Sequence, residues 1–512
     1  MLCRTGQIAA CLGMLAFGVR AAQPPLKLDD PAEPELHRLT SVPAVFRPRA
    51  HPRVKAFREP RPLPAGAVTS DWPTFLGPTH NAVSPETRLL KDFTAPPGGA
   101  ARPALVWQMV KGESYSAPAV VGERLVVFHR IGNEEVVECL HAERGTLYWQ
   151  LRYPTTYTDR FGYNGGPRST PAIARREPLF EPEPQSRRPG RTAGGRVFTY
   201  GAQGRLHCLD LRTGRVCWKR DLAREFKIRL SFFGAGSSPL VEGDLVILNI
   251  GGRDGPGVVA LSARTGRLVW GAEKQWGAGY ASPVPATIHG KRVVFVFAGG
   301  ESDPPTGGLL CLDPQTGTTH FRFPWRSRRI YSVNASSPVV VGDTVFLSSI
   351  YDIGGALLRV SPKLTHTVVF RTEKYASHWM TPIVRGGYLY GFADAILVCM
   401  ELKTGKVVWS TRPSCDLPAG AGGTLRKGGL GRASLLWADG AFLCLGEYGD
   451  LCWMDLSPKG MKITARAKLF HARQTWVCPV LSRGLLYVCQ NEPDRRSGQP
   501  PRLLCYDLRG RQ

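Results

Sequence analysis

The 512-residue chain is short of several things that would point to familiar chemistry. After the N-terminus no run of about 18 apolar residues occurs, so no helical membrane span is expected. No Cys-x-x-Cys or Cys-x-x-Cys-His occurs among the 13 cysteines, which removes the usual zinc, thiol-redox and haem signatures. His-Glu-x-x-His, Gly-x-Ser-x-Gly and the phosphate-loop pattern are also missing. Gly-rich stretches at 420–423 and 428–431 lack a strand-then-helix context and read as loops. Acidic residues are outnumbered, 41 against 66 Lys and Arg, for a net charge of +25. The basic residues are scattered over turns rather than aligned with stacking aromatics, which argues against a nucleic-acid partner.

What is plentiful is punctuation: 57 Gly and 42 Pro, with β-branched and aromatic residues between them. Long helical patterns are scarce, and an all-β fold follows. Arg4 followed by an apolar run from Ile8 to Val19 and by Val19-Arg20-Ala21 predicts a signal peptide over 1–21 and an extracytoplasmic location, periplasmic or secreted. Residues 22–70, with ten prolines between 23 and 70, read as a Pro/Arg-rich disordered linker, and 71–103 as a lead-in segment. An anionic envelope surface is the expected electrostatic target of the 23–70 tail. A second biased stretch, 175–196, reads as a loop inserted between two strands.

The remainder, 104–512, repeats. A small pair followed by Pro opens each copy: Ser116-Ala117-Pro118, Ser169-Thr170-Pro171, Ser237-Ser238-Pro239, Ala281-Ser282-Pro283, Ser336-Ser337-Pro338 and Met380-Thr381-Pro382. Ala433-Ser434-Leu435 and Val477-Cys478-Pro479 are degenerate versions. Eight copies at a mean spacing of about 52 residues fall in the range of propeller blades. A second phrase closes each copy, clearest as Asp210-Leu211-Arg212-Thr213-Gly214-Arg215-Val216-Cys217-Trp218. Asp accepts backbone N–H groups across the turn and Gly supplies the left-handed residue. Trp149, Trp218, Trp270 and Trp409, with Phe321 as substitute, follow the Gly by four residues, and this register reads as docking between sheets. The last copy ends just past its turn at Gly510, and Leu105-Val106-Trp107 supplies its missing strand. The expectation is an eight-bladed β-propeller of four-stranded antiparallel blades, closed by an N-terminal strand at Leu105–Trp107. Cys139, Cys208, Cys311, Cys399 and Cys505 share one register on third strands and read as buried apolar residues. Cys444 with Cys452, or Cys489 with Cys505, are candidates to face each other across a hairpin.

Asp-x-x-Thr-Gly-x-x-x-Trp, the small-Ser-Pro openings, the spacing and the lead-in phrase Asp71-Trp72-Pro73-Thr74-Phe75-Leu76-Gly77-Pro78 resemble the PQQ-like β-propeller repeat family of bacterial extracytoplasmic proteins. The resemblance covers about residues 71 to 512. It implies a fold more than an activity, since such repeats serve both dehydrogenases and assembly scaffolds. The enzymatic branch implies pyrroloquinoline quinone (PQQ) with calcium and an alcohol or sugar substrate, under a pair of adjacent cysteines. No adjacent cysteine pair and no matching Glu, Asn and Asp ligand context is present. The preferred expectation is therefore a binding or assembly scaffold with no catalytic or metal residues, and the alternative is a PQQ-dependent dehydrogenase.

In a propeller the loops entering the first strands surround the channel mouth. Three residues before each repeated Pro position stand Tyr115, Arg168, Gly236, Tyr280, Ala335, Trp379, Arg432 and Trp476. Such aromatic and Arg residues are enriched at binding hot spots. Loops joining second to third strands add acidic residues, among them Glu301, Asp303 and Glu447, which suggests a locally acidic rim. The candidate ligand-binding set is Tyr115, Arg168, Tyr280, Glu301, Asp303, Trp379, Arg432 and Trp476, for a protein, glycan or small molecule at the mouth.

Overall fold

The computed structural model of the chain describes residues 22–36, 48–94, 103–175, 195–252, 255–416 and 427–510. The expected signal peptide and most of the 175–196 insertion lie outside the described residues. The insertion's flanks, Ala172–Arg175 and Gly195–Tyr200, are neighbouring strands of one blade.

Eight antiparallel sheets contribute four repeat strands each, and a separate two-stranded hairpin joins Ser414–Asp416 to Lys427–Gly429. Blades 1 to 7 span 119–154, 172–221, 240–272, 284–324, 339–372, 383–411 and 434–468. Blade 8 is built from Val480–Ser482, Leu485–Gln490 and Arg502–Asp507, and its outer strand is Ala104–Val110. Leu105 pairs with Tyr506 and Trp107 with Cys505, so the ring closes where the sequence placed the closure. The five register-sharing cysteines are fully buried on third strands.

Two sets of hydrogen bonds tie blade to blade, and they account for the two repeated phrases. On the outer side each repeat Trp donates its indole N–H to a carbonyl in the next blade's turn: Trp107 to Ala142 (3.0 Å), Trp149 to Leu211 (2.9 Å), Trp218 to Ala263 (3.1 Å) and Trp270 to Pro314 (2.9 Å). The turn's Gly carries a positive φ and lies under that ring, so it has both conformational and steric grounds for lacking a side chain; Gly266 (φ +74°) sits against Trp218. The acidic slot works as read: Asp210 accepts from the Thr213 N–H (2.8 Å) and hydroxyl (2.7 Å). On the inner side the Ser or Thr before each Pro accepts the backbone N–H of its counterpart one blade back. Thr170 N–H donates to Ser238 (2.9 Å), Ser238 to Ser282 (3.0 Å), Ser282 to Ser337 (3.3 Å) and Ser337 to Thr381 (3.2 Å). Each such bond contributes about 0.5–1.5 kcal/mol.

The Pro-rich tail departs from the expectation of a free, disordered linker wherever it is described. Gln23 bridges to Thr319 of blade 4, Leu26 to Gly271 of blade 3, and Glu35–Leu36 pairs with Lys219 and Trp218 of blade 2. Arg49 bridges to Leu147 of blade 1, and Val54–Ala56 adds a fifth strand to blade 8 against Trp107–Met109. The segment is extended, as Pro requires, but the residues between the prolines keep their N–H groups and use them on exposed blade edges. A buried carboxylate locks the strap: Glu138 of blade 1 accepts from Arg53 (2.7 Å), from Gln150 and from His51 Nε2 (3.1 Å). His129 Nε2 stands 3.1 Å from its other oxygen. Tail acids and bases are likewise spent on the ring, as in Asp30–Arg220 (2.6 Å) and Arg61–Asp507 (2.8 Å). In its described residues the tail is a belt rather than a free basic arm for an anionic surface.

Candidate functional site

The lead-in segment crosses one end of the ring. Trp72 pairs with Val120 of blade 1 and Val83 with Trp437 of blade 7, and between them Phe75 and buried Leu76 share a small cavity with Ser238, Ser282 and Ser337, which lead into blades 3, 4 and 5 on the far side of the axis. Phe75 and Leu76 line the inner end of the axial cavity, so the channel is a cup open at the opposite mouth. The cup encloses about 1270 Å³, including its open mouth.

All eight positions counted three residues before the repeated Pro line this cup. They are not distributed evenly. Around the ring, Trp379, Arg432, Trp476, Tyr115 and Arg168 stand on consecutive blades 6, 7, 8, 1 and 2, while Gly236 and Ala335 leave the other side open beside Tyr280. The arc is stacked edge to edge. The Arg432 guanidinium lies 5.0 Å from the Trp379 ring and 4.9 Å from Trp476. Trp476 stacks on Tyr115 at 5.5 Å, and Arg168 sits 5.3 Å from the Tyr115 ring. Such cation–ring contacts contribute about 0.5–2 kcal/mol each.

Both arginines are neutralised from behind. Arg432 pairs with Glu447 at 2.9 Å, and Glu447 also accepts the Trp476 indole N–H at 2.8 Å. Arg168 pairs with Asp159 at 2.6 Å. His378, against Trp379 and hydrogen-bonded to the Tyr351 hydroxyl (2.8 Å), is lowered to about 4 by burial and by the Arg432 charge, so it is neutral at pH 7. Tyr280, raised to about 12 by burial, keeps its proton and accepts the Phe233 N–H (2.7 Å). The cup is thus aromatic and hydroxylic, with its charges compensated in place.

Six of the eight candidate ligand residues, Tyr115, Arg168, Tyr280, Trp379, Arg432 and Trp476, come together here. Glu301 and Asp303 do not. Glu301 is drawn outward by Arg160 (2.7 Å) and Arg229 (3.5 Å), and Asp303 is exposed beside Pro304. The acidic rim is largely cancelled by partners of this kind, Asp450 with Arg466 and Lys468 being another case. Sequence reasoning missed Tyr163, Phe233 and His378 in the lining, and the exposed aromatics Phe161 and Tyr331 beyond them. They belong to loops outside the repeat phrase, where no periodicity marks them. Of the hairpin cysteines, Cys444 does oppose Cys452, whereas Cys505 opposes Tyr487 rather than Cys489, and Cys489 and Cys505 are free thiols.

A calcium-held quinone would need its ligands from this lining. A calcium ion takes six to eight oxygens, several from carboxylates. Among the described residues no Asp, Glu, Asn or Gln side chain lines the cup, and no three His, Cys, Asp or Glu groups converge on a metal-sized site. The donor set does not fit that group.

Comparison with known proteins agrees with the fold. A quinoprotein ethanol dehydrogenase of Pseudomonas aeruginosa is 27% identical over 155 residues, 29% of this chain and 24% of that protein, so the match spans about a quarter of the relative's length. A europium-containing methanol dehydrogenase superposes with a TM-score of 0.57 at 11% identity, covering 86% of this chain and 98% of the other. The quinohemoprotein alcohol dehydrogenase of Comamonas testosteroni gives 0.55 at 12% identity, covering 88% and 82%. At such identities the likeness is one of fold. Residues 133–411, more than half of the chain, match the PQQ-repeat family model described as outer membrane protein assembly factor BamB, and the chain belongs to that family.

Proposed function

We propose that the protein is a non-catalytic binding propeller of the cell envelope whose cup receives an aromatic or aliphatic anchor from a partner protein. The observation that carries this reading is the stacked arc from Trp379 through Arg432, Trp476 and Tyr115 to Arg168, whose charges are satisfied internally. A surface of that kind gains by excluding water from an apolar group. Exposed Phe161, Tyr163 and Tyr331 extend it outward as a contiguous aromatic face, an uncommon feature unless a partner covers it. Membership of a family described by an assembly factor supports a protein partner over a glycan or small molecule. An extracytoplasmic location fits the expected 1–21 signal, and no described helix is long and apolar enough to cross a membrane.

The test is fluorescence titration with hexapeptides carrying a central Trp or Phe, against a Ser-centred control. Trp379→Ala with Trp476→Ala should weaken aromatic peptides by about 30-fold, the equivalent of ~2 kcal/mol for a truncated hot spot. Equal affinity for the Ser control, or PQQ and calcium uptake with dye-linked alcohol oxidation, would overturn the reading.

A further inference from the structure

The belt covers part of the ring's circumference and leaves the rest bare. Going backwards along the chain, it pairs with outer strands of blades 8, 1, 2, 3 and 4 in turn. Among the described residues nothing pairs with the outer strands of blades 5, 6 and 7, which are His366–Thr372, Val407–Thr411 and Gly460–Lys468. Burial separates the two groups cleanly. Every belted outer strand contains at least two buried residues, whereas the three bare ones contain none. Val368, Val369 and Val408 stand exposed on them at 38%, 36% and 40%. Unpaired, β-branched edges of this kind are templates for another strand.

Charge says what strand would suit. The three bare strands contain no acidic residue and present exposed Arg371 and Lys462, with exposed Lys406 beside the second; Arg466 and Lys468 of the third already hold Asp450. The belt shows in cis how such edges are covered on blades 2 and 3. Its residues Asp30, Glu33 and Glu35 pair with Arg220 (2.6 Å), Arg267 (2.8 Å) and Lys219 (2.9 Å) of the outer strands and their turns. Residues 23–36 are enough to touch three consecutive blades. We propose that the bare arc over blades 5 to 7 is a second docking surface, independent of the cup, that takes an extended acidic segment of a partner protein by strand addition.

The experiment uses the full chain and a synthetic peptide with the sequence of residues 23–36 as probe, read by fluorescence anisotropy and by hydrogen exchange. The expected result is salt-sensitive binding with new protection over 366–372, 407–411 and 460–468. A peptide with its four acids changed to Lys should bind at least tenfold more weakly. So should the triple variant Arg371→Glu, Lys406→Glu, Lys462→Glu, whose exposed positions leave the fold intact. No binding, equal binding of the reversed peptide, or protection confined to 216–221 and 268–272 by exchange with the belt overturns the proposal. So does finding these edges already protected in the free chain, which would mean another part of the chain covers them. Self-association lost in the triple variant would assign the arc to a second copy instead and also overturn it.

Discussion

Replacing Gly266 by Ala isolates the contact on which the blade-to-blade register depends. A Cβ at Gly266 would lie 2.7 Å from Trp218 Cδ2 and 2.8 Å from Cε3, on a fully buried indole that also holds the Ala263 carbonyl. Gly122 is the internal control: its φ of +58° is also left-handed, and a Cβ there meets nothing within 4 Å. Both variants lose about 1–2 kcal/mol from the left-handed backbone of a residue with a side chain. Only Gly266→Ala adds an overpacking cost of about 1–3 kcal/mol, together with whatever part of the indole hydrogen bond, ~0.5–1.5 kcal/mol, is lost as the ring shifts. Urea unfolding followed by tryptophan emission should place Gly266→Ala below Gly122→Ala by ~1–4 kcal/mol. Adding Trp218→Leu to Gly266→Ala should recover part of the difference, because the clash then has no ring to strike. Equal destabilisation by the two Ala variants would refute the claim that the turn glycine exists for the neighbouring indole.

Other predictions follow from the belt and the cup. Burial pushes the Glu138 carboxyl up, but His129, His51 and the Arg53 charge outweigh that and hold it well below the usual range, so its stabilisation is full above the ordinary carboxyl pKa of about 4 and is lost as pH falls below it. His129 is lowered by burial, so it adds an earlier loss as pH falls below about 6.5, where the unfolded state gains a proton first. Glu138→Gln should cost ~3 kcal/mol, flatten the acid limb of the stability profile and raise hydrogen exchange over Val54–Ala56. Arg432→Lys should lose ~0.5–1 kcal/mol of ring contact and raise acrylamide quenching of the cup tryptophans. Deleting 22–36 should increase exchange on Val216–Asp221 and Leu268–Ala272 while leaving His366–Thr372 unchanged; a uniform increase over the ring would contradict the belt's local role.

Much of this fold could be read before any coordinates, because the repeat phrases are themselves blade-to-blade contacts. Trp107, Trp149, Trp218 and Trp270 fill one geometric role, and Thr170, Ser238, Ser282, Ser337 and Thr381 another, so a sequence period reports a spatial one. The same register located all eight positions lining the cup. Glu301 escaped that logic because its direction is set by Arg160 and Arg229, on loops from other blades. Phe233 and Tyr163 lie in loops with no repeat partner. The belt was illegible for a different reason: its main-chain pairing leaves no pattern of side chains, its ion pairs reach partners far along the chain, and its prolines imitate a linker.

Ring closure sets a clock on biosynthesis. Trp107 must pair with Cys505, a partner made roughly 400 residues later, and at 5–20 residues per second that is a delay of about 20–80 s. Over that interval the strand Ala104–Val110 offers an open edge, and so does every blade whose neighbour has not yet emerged. A chain kept extended by a translocation machinery, or handed to a holding chaperone, passes that window without pairing wrongly. Export before folding would therefore serve this architecture kinetically as well as topologically.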